Sequence, residues 1–542
     1  MSAGLGTVPP GQTYLDISQG NRVFDSLYDE PLPERKGDLA RWWREVVERA
    51  ESAPADIVPG LLQSTLAGAG LRSRFSEVRR ASLGRLPPKG SYGLLIAIAR
   101  PTGKSDELLP IGIAGRGFDG NLTSDSTRTD GYVLSTDVAP TILRRFGLAV
   151  PSQMSGQPIR SEGDVDPAAI ESLVSRMNVI SSRRGTVIGL PIVAWLLLAT
   201  IVALAWRGAA RVAIRLLGLS VVYLPLLLLL GAALEPPKGV EALLVALGAP
   251  ALAAVTLALL RDFRALAVAS ALTVVAYAID VIAGSPLTSL SLLGPNPGLG
   301  VRFYGIGNEL EALLAVLVVA GTGAALAGFA RAWPRRKLAV GFLLVGLLAA
   351  FVFAAGRFGA DVGAAIVFPV GAVVAAVVVA GRGKRTAWLA VVAVPFAVFA
   401  LLALIDLVSG ANAHLTRSVL DAGGLGSLAD VAQRRLQLSA HSFSRPVLLA
   451  FLPLVAGLAI LAFLRRDLLR AWVAETPAMR AGLIGAVAAT VIGTLANDSG
   501  ALLLVIGTAY LLVFTGFAGA ERPQTAGSAR PQTKSYTSVT HT

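Results

Sequence analysis

From residue 186 onward the chain alternates apolar runs of about 20 residues with short polar connections. A helix rising ~1.5 Å per residue needs about 20 apolar residues to cross the ~30 Å hydrocarbon core of a bilayer, so each run predicts one membrane-spanning helix. The runs lie near 186–206, 213–234, 239–260, 264–283, 306–329, 338–355, 362–380, 387–408, 447–464, 480–496 and 500–518, eleven in all. Only Asn497, Asp498 and Ser499 separate the last two, which read as a helical hairpin or as one broken span. Before residue 186 the pattern is different. Leu39 to Ala50, with Trp42, Trp43, Val46 and Val47, reads as an amphipathic helix packed on a core. The run that starts at Tyr92 reads as a buried strand, and Leu109 to Ala114 as a second one. Asp137 is placed to cap a helix with Pro140 in its first turn and a stripe of Val138, Ile142 and Phe146. The tail from Pro523, rich in Ser, Thr, Gln and Pro, reads as disordered. The expected architecture is an α-helical polytopic membrane protein of about 11 transmembrane helices with an N-terminal α/β domain. Residues 1–185 form the soluble domain, 186–520 the membrane domain and 521–542 the tail.

Composition strengthens the membrane reading: 54% of the 542 residues are hydrophobic and the mean hydropathy is +0.64, too apolar for an ordinary soluble protein. Charge then gives an orientation. Residues 1–185 hold 22 Lys and Arg against 21 Asp and Glu, so nearly all of the net +13 belongs to the membrane part. There it sits in every second loop: Arg207, Arg211 and Arg215; Arg261 and Arg264; Arg331, Arg335, Arg336 and Lys337; Arg382, Lys384 and Arg385; Arg465, Arg466 and Arg470. Clusters spaced by apolar spans follow membrane topology; a nucleic-acid binder would instead gather basic groups on one soluble face. The positive-inside rule makes these five loops and the C-terminus cytoplasmic and places residues 1–185 outside a plasma membrane. Arg183 and Arg184, at the outer end of the first span, run against the rule. An outward domain of this size ordinarily enters through a signal sequence. Met1 to Asp25 shows none, so the expectation is a native chain that starts further upstream. The chain has no cysteine, which excludes disulfides, thiolate metal ligands and a cysteine nucleophile.

The segment Ser135-Thr-Asp-Val-Ala-Pro-Thr, followed by Pro151, Met154 and Gly156, resembles the closing part of the alkaline-phosphatase superfamily, the phosphodiesterase and sulfatase-like fold. The residues that carry the likeness are Thr136, Asp137, Ala139, Pro140, Thr141, Pro151, Met154 and Gly156, with Ser155 interrupting the final Met-Gly pair, over about 70 residues. The resemblance implies an α/β domain. In that superfamily a Ser or Thr nucleophile works beside two metal ions held by Asp and several His. Here no His precedes His414, and the domain is short and lacks a nucleophile segment. The expectation is therefore a degenerate, non-catalytic relative without a metal site, or a domain whose chemistry lies in a missing upstream segment. No motif names a cofactor.

Polar residues at the outer ends of the spans are the candidate chemistry, since ionisable groups near the bilayer interior are costly and tend to face a cavity or a partner. The first cluster runs from Gly294 to Glu311: an irregular or re-entrant Gly- and Pro-rich loop with Arg302 and Tyr304, leading into a helix near Gly307 with Asn308 and Glu309 just inside the membrane. Glu311, two residues on, points to a different face. The alternative is a plain helix cap. The second cluster holds Arg357 and Asp361, four apart and placed to pair with each other. The third follows the span containing Asp406, with Asn412, His414 and Arg417, and an interfacial helix at 427–443 carrying Arg434 and Arg435. The fourth is Asn497-Asp498-Ser499-Gly500, a tight turn or a buried site. Charge-derived topology puts all four on the side of the soluble domain.

The Tyr-Gly-Ile-Gly-Asn-Glu and Asn-Asp-Ser-Gly segments are similar to those of uncharacterised bacterial membrane proteins, and the layout resembles the glycolipid-anchor ethanolamine-phosphate transferases. Three functions compete. The first is a bacterial cell-envelope protein that binds or processes an anionic lipid or lipid-linked phosphate at the outer leaflet of the bilayer. Arg302, Arg357 and Arg417 hold the phosphate, Glu309 or Asp498 is the base, and Tyr304, Asn308, Asp361, His414, Asn497 and Ser499 line the site. The second is an ion-coupled transporter using Glu309, Asp361 and Asp498. The third is a non-catalytic scaffold or sensor.

Overall fold

The computed structural model describes the chain apart from residues 36, 54, 72–92, 102, 104–107, most of 383–400, 401–438, 441, 445 and 522–542. The expected span at 387–408, the residues Tyr92, Asp406, Asn412, His414, Arg417, Arg434 and Arg435, and the tail from Pro523 lie outside the described residues.

The N-terminal region contains helices α1 (Pro10–Gln19), α2 (Leu39–Glu51), α3 (Leu61–Gly68) and α4 (Val138–Arg145) and two antiparallel ladders. Strand β1 (Leu95–Ile98) pairs with β2 (Ile111–Ala114) so that Leu95 faces Ala114, and β3 (Asn121–Thr123) pairs with β4 (Arg160–Glu162). The first two strands lie where the apolar runs place them, but both are half-buried. Met1, Val8, Ile17, Leu109, Val133 and Val138 form one core. Two expectations need correction. Trp43 is exposed, because α2 turns Val46, Arg49 and Ala50 inward. Phe146 is also exposed, because the buried face of α4 runs through Ala139 and Leu143.

Helix α5 (Pro167–Arg184) leaves this region and continues through a wide π turn at Gly185–Gly189 into α6 (Leu190–Ala205). Its 39 residues exceed the bilayer core at ~1.5 Å per residue, so the first half stands clear of the apolar zone. Then follow α7 (Ala210–Leu234), α8 (Lys238–Leu259), α9 (Phe263–Ile282), the short α10 (Pro286–Leu290), α11 (Asn308–Phe329), α12 (Arg335–Ala354), α13 (Ala364–Ala380), α14 (Pro446–Leu464), α15 (Arg466–Trp472), α16 (Pro477–Ala496) and α17 (Gly500–Ala520). Among the described residues eight helices are long and apolar enough to cross a membrane, counting α5 and α6 as one. The pair α14 and α15, bent by 75°, and the shorter apolar α13 complete the set. Each expected run except the one at 387–408 falls on a helix, but among the described residues nine at most have the length and composition of a span.

Helix α11 is the axis of the bundle: 78% of its apolar window is buried. Small residues let its neighbours close on it. Gly323 of α11 lies against Gly482 of α16, where an added side chain would strike the backbone, the contact that substitutes for a hydrophobic driving force in lipid. Proline inside a span leaves the carbonyl four residues earlier without its N–H partner, and in lipid no water replaces it. Pro225 of α7 frees the Val221 carbonyl, which accepts from Tyr510 Oη at 3.2 Å. Pro250 of α8 frees the Ala246 carbonyl, which accepts from Trp195 Nε1 at 3.0 Å.

Contacts sort the loops to two ends. At the basic end Arg215 pairs with Glu521 at 2.7 Å and Arg264 donates to the Gly328 carbonyl. At the other end Arg22 and Tyr132 of the N-terminal region bind the Gly300 and Pro297 carbonyls, and Arg128 binds the Arg357 carbonyl. Arg183 and Arg184, which ran against the charge rule, are neutralised: Arg183 pairs with Glu241 at 2.7 Å and Arg184 with Glu309 at 3.3 Å.

Candidate functional site

The site is built at the N-terminal end of α11 from three irregular segments that the sequence cannot fold as regular structure. Gly300 and Gly305 adopt left-handed backbone in the first. It is tied to its surroundings by Asn296 Nδ2 to Ser181 Oγ at 3.2 Å, Ser289 Oγ to the Phe303 carbonyl at 2.8 Å and Gly305 N to Ser285 Oγ at 2.9 Å. The second, 355–363, turns back at Ala360 with φ +51° and presents the Gly359 carbonyl to Ile306 N at 3.2 Å. The third is the Asn497–Ser499 break between α16 and α17, closed by Ser499 N donating to Asn497 Oδ1 at 2.9 Å.

These segments bring most of the expected residues together, with partners that differ from expectation. Asp361 does not pair with Arg357. Four-residue spacing joins side chains only on a helix, and 357–361 is a turn. Asp361 Oδ2 instead takes Arg302 Nη1 at 2.8 Å, while Oδ1 accepts from Ala364 N at 3.0 Å and holds the start of α13. Arg302 also donates to the Ile306 carbonyl. Glu309 turns toward α5 and is occupied by Arg184. Asp498 is exposed, and its Oδ1 accepts from Asn308 Nδ2 at 3.1 Å. Asn497 donates to Asn308 Oδ1 at 3.3 Å and to Glu311 Oε2 at 2.7 Å.

Glu311 is the residue that sequence reasoning passed over. It does face away from Glu309, as the spacing requires, but it is the fully buried one, with 0% exposure. Its Oε1 has no hydrogen-bond partner among the described residues. Gly363 lies so close that any side chain there would collide with the carboxyl group.

Family models, curated proteins and solved structures contain no match to this chain.

Two further cations lie at the junction with the N-terminal region. Arg128, at φ +52°, sets its guanidinium 4.1 Å from the centroid of the Tyr304 ring and donates to the Arg357 carbonyl at 3.0 Å. Arg357 sits 4.7 Å from the centroid of Phe358. Both are exposed, and among the described residues neither pairs with a carboxylate. Arg128 was not anticipated; only the fold brings it beside Tyr304. Among the described residues no group of three or more His, Asp and Glu is arranged to hold a metal ion. A surface hollow beside Pro151, Met154 and Pro158 has no titratable side chain in its lining and stands outside this site.

In the N-terminal region the side chain of Asp137 is a hydrogen-bonding hub. Its Oδ1 accepts from Ser126 Oγ at 2.6 Å and Gln157 N at 2.9 Å; its Oδ2 accepts from Ser124 Oγ at 2.7 Å and Leu134 N at 2.9 Å. It makes no side-chain cap to α4, contrary to expectation, because these four donors occupy it. Burial raises its pKa against the opposing pull of the donors. Thr141 Oγ1 donates to the Asp137 carbonyl and accepts from Ile159 N at 2.8 Å, and Gly156 packs on the Thr136 backbone.

Proposed function

We propose that the protein binds or processes an anionic lipid or lipid-linked phosphate at the bilayer surface beside its N-terminal domain, and that this surface is the outer leaflet of a bacterial plasma membrane. The observation that carries the reading is the Arg128 and Arg357 pair. Two exposed guanidiniums, neither paired with a carboxylate among the described residues, stand beside the site, each held against an aromatic face; Arg128 Nη1 donates to the Arg357 carbonyl. Guanidinium is suited to bidentate phosphate recognition and combines readily with aromatic stacking. Arg302, locked to Asp361, positions the loop between them. In a processing reaction Asp498, exposed beside Asn308, serves as base; Glu309 is neutralised by Arg184. The N-terminal region is then an extracytoplasmic α/β domain on the alkaline-phosphatase plan that has lost its metal chemistry. Support for this is its lack of histidine and the use of Asp137 as a structural hub.

The test is lipid retention by native mass spectrometry of the full-length protein. Phosphatidylglycerol and phosphatidylcholine of equal chain length are titrated against wild type and against Arg128→Ala/Arg357→Ala. Two surface arginines at about 1 kcal/mol each predict about 30-fold weaker phosphatidylglycerol retention in the variant, with phosphatidylcholine unchanged. Equal retention of phosphatidylglycerol by both proteins contradicts the reading.

A further inference from the structure

Glu311 is a carboxyl group inside the bundle that, among the described residues, has one hydrogen bond, from Asn497, and one oxygen without a partner. The charged groups that face it are Asp361 and Arg302 from the two adjoining loops and Asp498 beyond Asn497. Glu309, on its own helix, is turned away to Arg184. Three carboxylates thus share one guanidinium, and that guanidinium contacts Asp361. An anionic Glu311, fully buried and with one oxygen unpaired among the described residues, is costly; a neutral carboxylic acid removes the charge and much of that cost. Among the described residues no group of three or more His, Asp and Glu is arranged to hold a metal ion there.

The group is nevertheless linked to water. Asn497 spans from Glu311 to Asn308 at 2.7 and 3.3 Å, and Asn308 continues to the exposed Asp498 at 3.1 Å. This polar seam runs from the buried carboxyl to the surface on the side of the N-terminal domain. We infer that Glu311 is a proton-binding site that exchanges its proton with the domain-side solution through water reaching it beside Asn497, Asn308 and Asp498; the two amides mark the polar side of the carboxyl and do not themselves relay the proton. Loss of the proton places a second anion beside Arg302 and competes with Asp361 for it. Arg302 anchors the loop that carries Tyr304, the seat of Arg128. Proton occupancy is in this way connected to the outer arginines, although the proton site stands without the lipid reading.

The test uses the full-length wild-type protein in liposomes and dicyclohexylcarbodiimide, which modifies protonated carboxyl groups in apolar surroundings, with adducts mapped by peptide mass spectrometry. The expected result is an adduct at Glu311 and none at Glu309 or Asp361. Its initial rate should fall by about tenfold for each pH unit above the midpoint of the site. Infrared difference spectra provide a second measurement: Glu311→Gln should lose protonated-carboxyl intensity relative to wild type, and Glu309→Gln should keep it. No adduct at Glu311, a rate independent of pH, or protection by sodium chloride but not choline chloride at equal ionic strength would each overturn the assignment. Protection by sodium would identify a sodium site in its place. Lipid retention is read separately, so failure of one proposal leaves the other intact.

Discussion

Replacing Glu241 with glutamine tests how the N-terminal region is locked to the bundle. Glu241 of α8 is fully buried and receives Arg176 Nη2 at 2.8 Å and Arg183 Nη1 at 2.7 Å, both from α5. The side chain of Arg176 is only 2% exposed, and its Nε is already committed to the Leu290 carbonyl. Removing the carboxylate strands this guanidinium without a counter-charge, a change that costs about 3–5 kcal/mol when one partner of a buried ion pair is lost. Glutamine keeps one acceptor oxygen, so Glu241→Gln is expected near the lower bound and Glu241→Ala near the upper. Replacing Arg176 and Glu241 together, as Arg176→Met/Glu241→Leu, is expected to recover part of the loss, because an apolar pair of similar volume needs no compensation, while the more exposed Arg183 keeps, among its described partners, only the Pro236 carbonyl. The assay is equilibrium unfolding of the purified protein in mixed micelles. A Glu241→Gln protein within about 1 kcal/mol of wild type, with no recovery in the double variant, would refute the reasoning.

Two predictions concern the N-terminal region. Asp16 accepts from Gln12 Nε2 at 2.8 Å and Gln19 Nε2 at 3.2 Å, its Oδ2 is buried without a partner among the described residues, and burial pushes its pKa up to about 7. A carboxyl whose folded value exceeds its unfolded value of about 4 contributes stability that is complete below about pH 4 and is lost as pH rises through about 7. Thermal unfolding of wild type against Asp16→Asn should therefore show the variant gaining relative stability between those limits; parallel curves would count against it. At Asp137 each carboxylate oxygen takes one serine hydroxyl, which rotates, and one backbone N–H, which does not. Asp137→Asn must aim its amide at one of those N–H groups whichever way it flips, at a cost of about 1–3 kcal/mol. Limited proteolysis should release the N-terminal region faster in the variant, and an unchanged rate would remove Asp137 as its hub.

The spans were legible because lipid imposes a length and a polarity that a single sequence records directly. Pairings between spans were not. Pro225 and Pro250 read as members of apolar runs, and nothing local indicates that Tyr510 and Trp195 supply the missing donors. The margin left by Arg183 and Arg184 looked like a topological conflict because their counter-charges, Glu241 and Glu309, lie 58 and 125 residues away. Spacing correctly separated Glu309 from Glu311 but gave no sign of which faces inward: α11 is apolar on every side, so its sequence has no solvent face to orient it. The Arg357 and Asp361 pair failed for the opposite reason. A helical rule was applied to a segment that Ala360, in left-handed backbone, folds into a turn. The four polar clusters were legible as a group, and three of them meet at the start of α11; the third, around His414 and Arg417, lies outside the described residues.

The central claim is that the arginine mouth and the Glu311 seam open to the outer face, and its most direct measurement is the side on which single cysteines react. The natural chain has none, so Asp164→Cys in the N-terminal domain and Trp333→Cys in a basic loop, both exposed positions, each give one thiol. In intact cells a membrane-impermeant maleimide should label Asp164→Cys at once and Trp333→Cys only after permeabilisation. Labelling of Trp333→Cys in intact cells, with Asp164→Cys protected, would place the site in the cytoplasm and contradict the account.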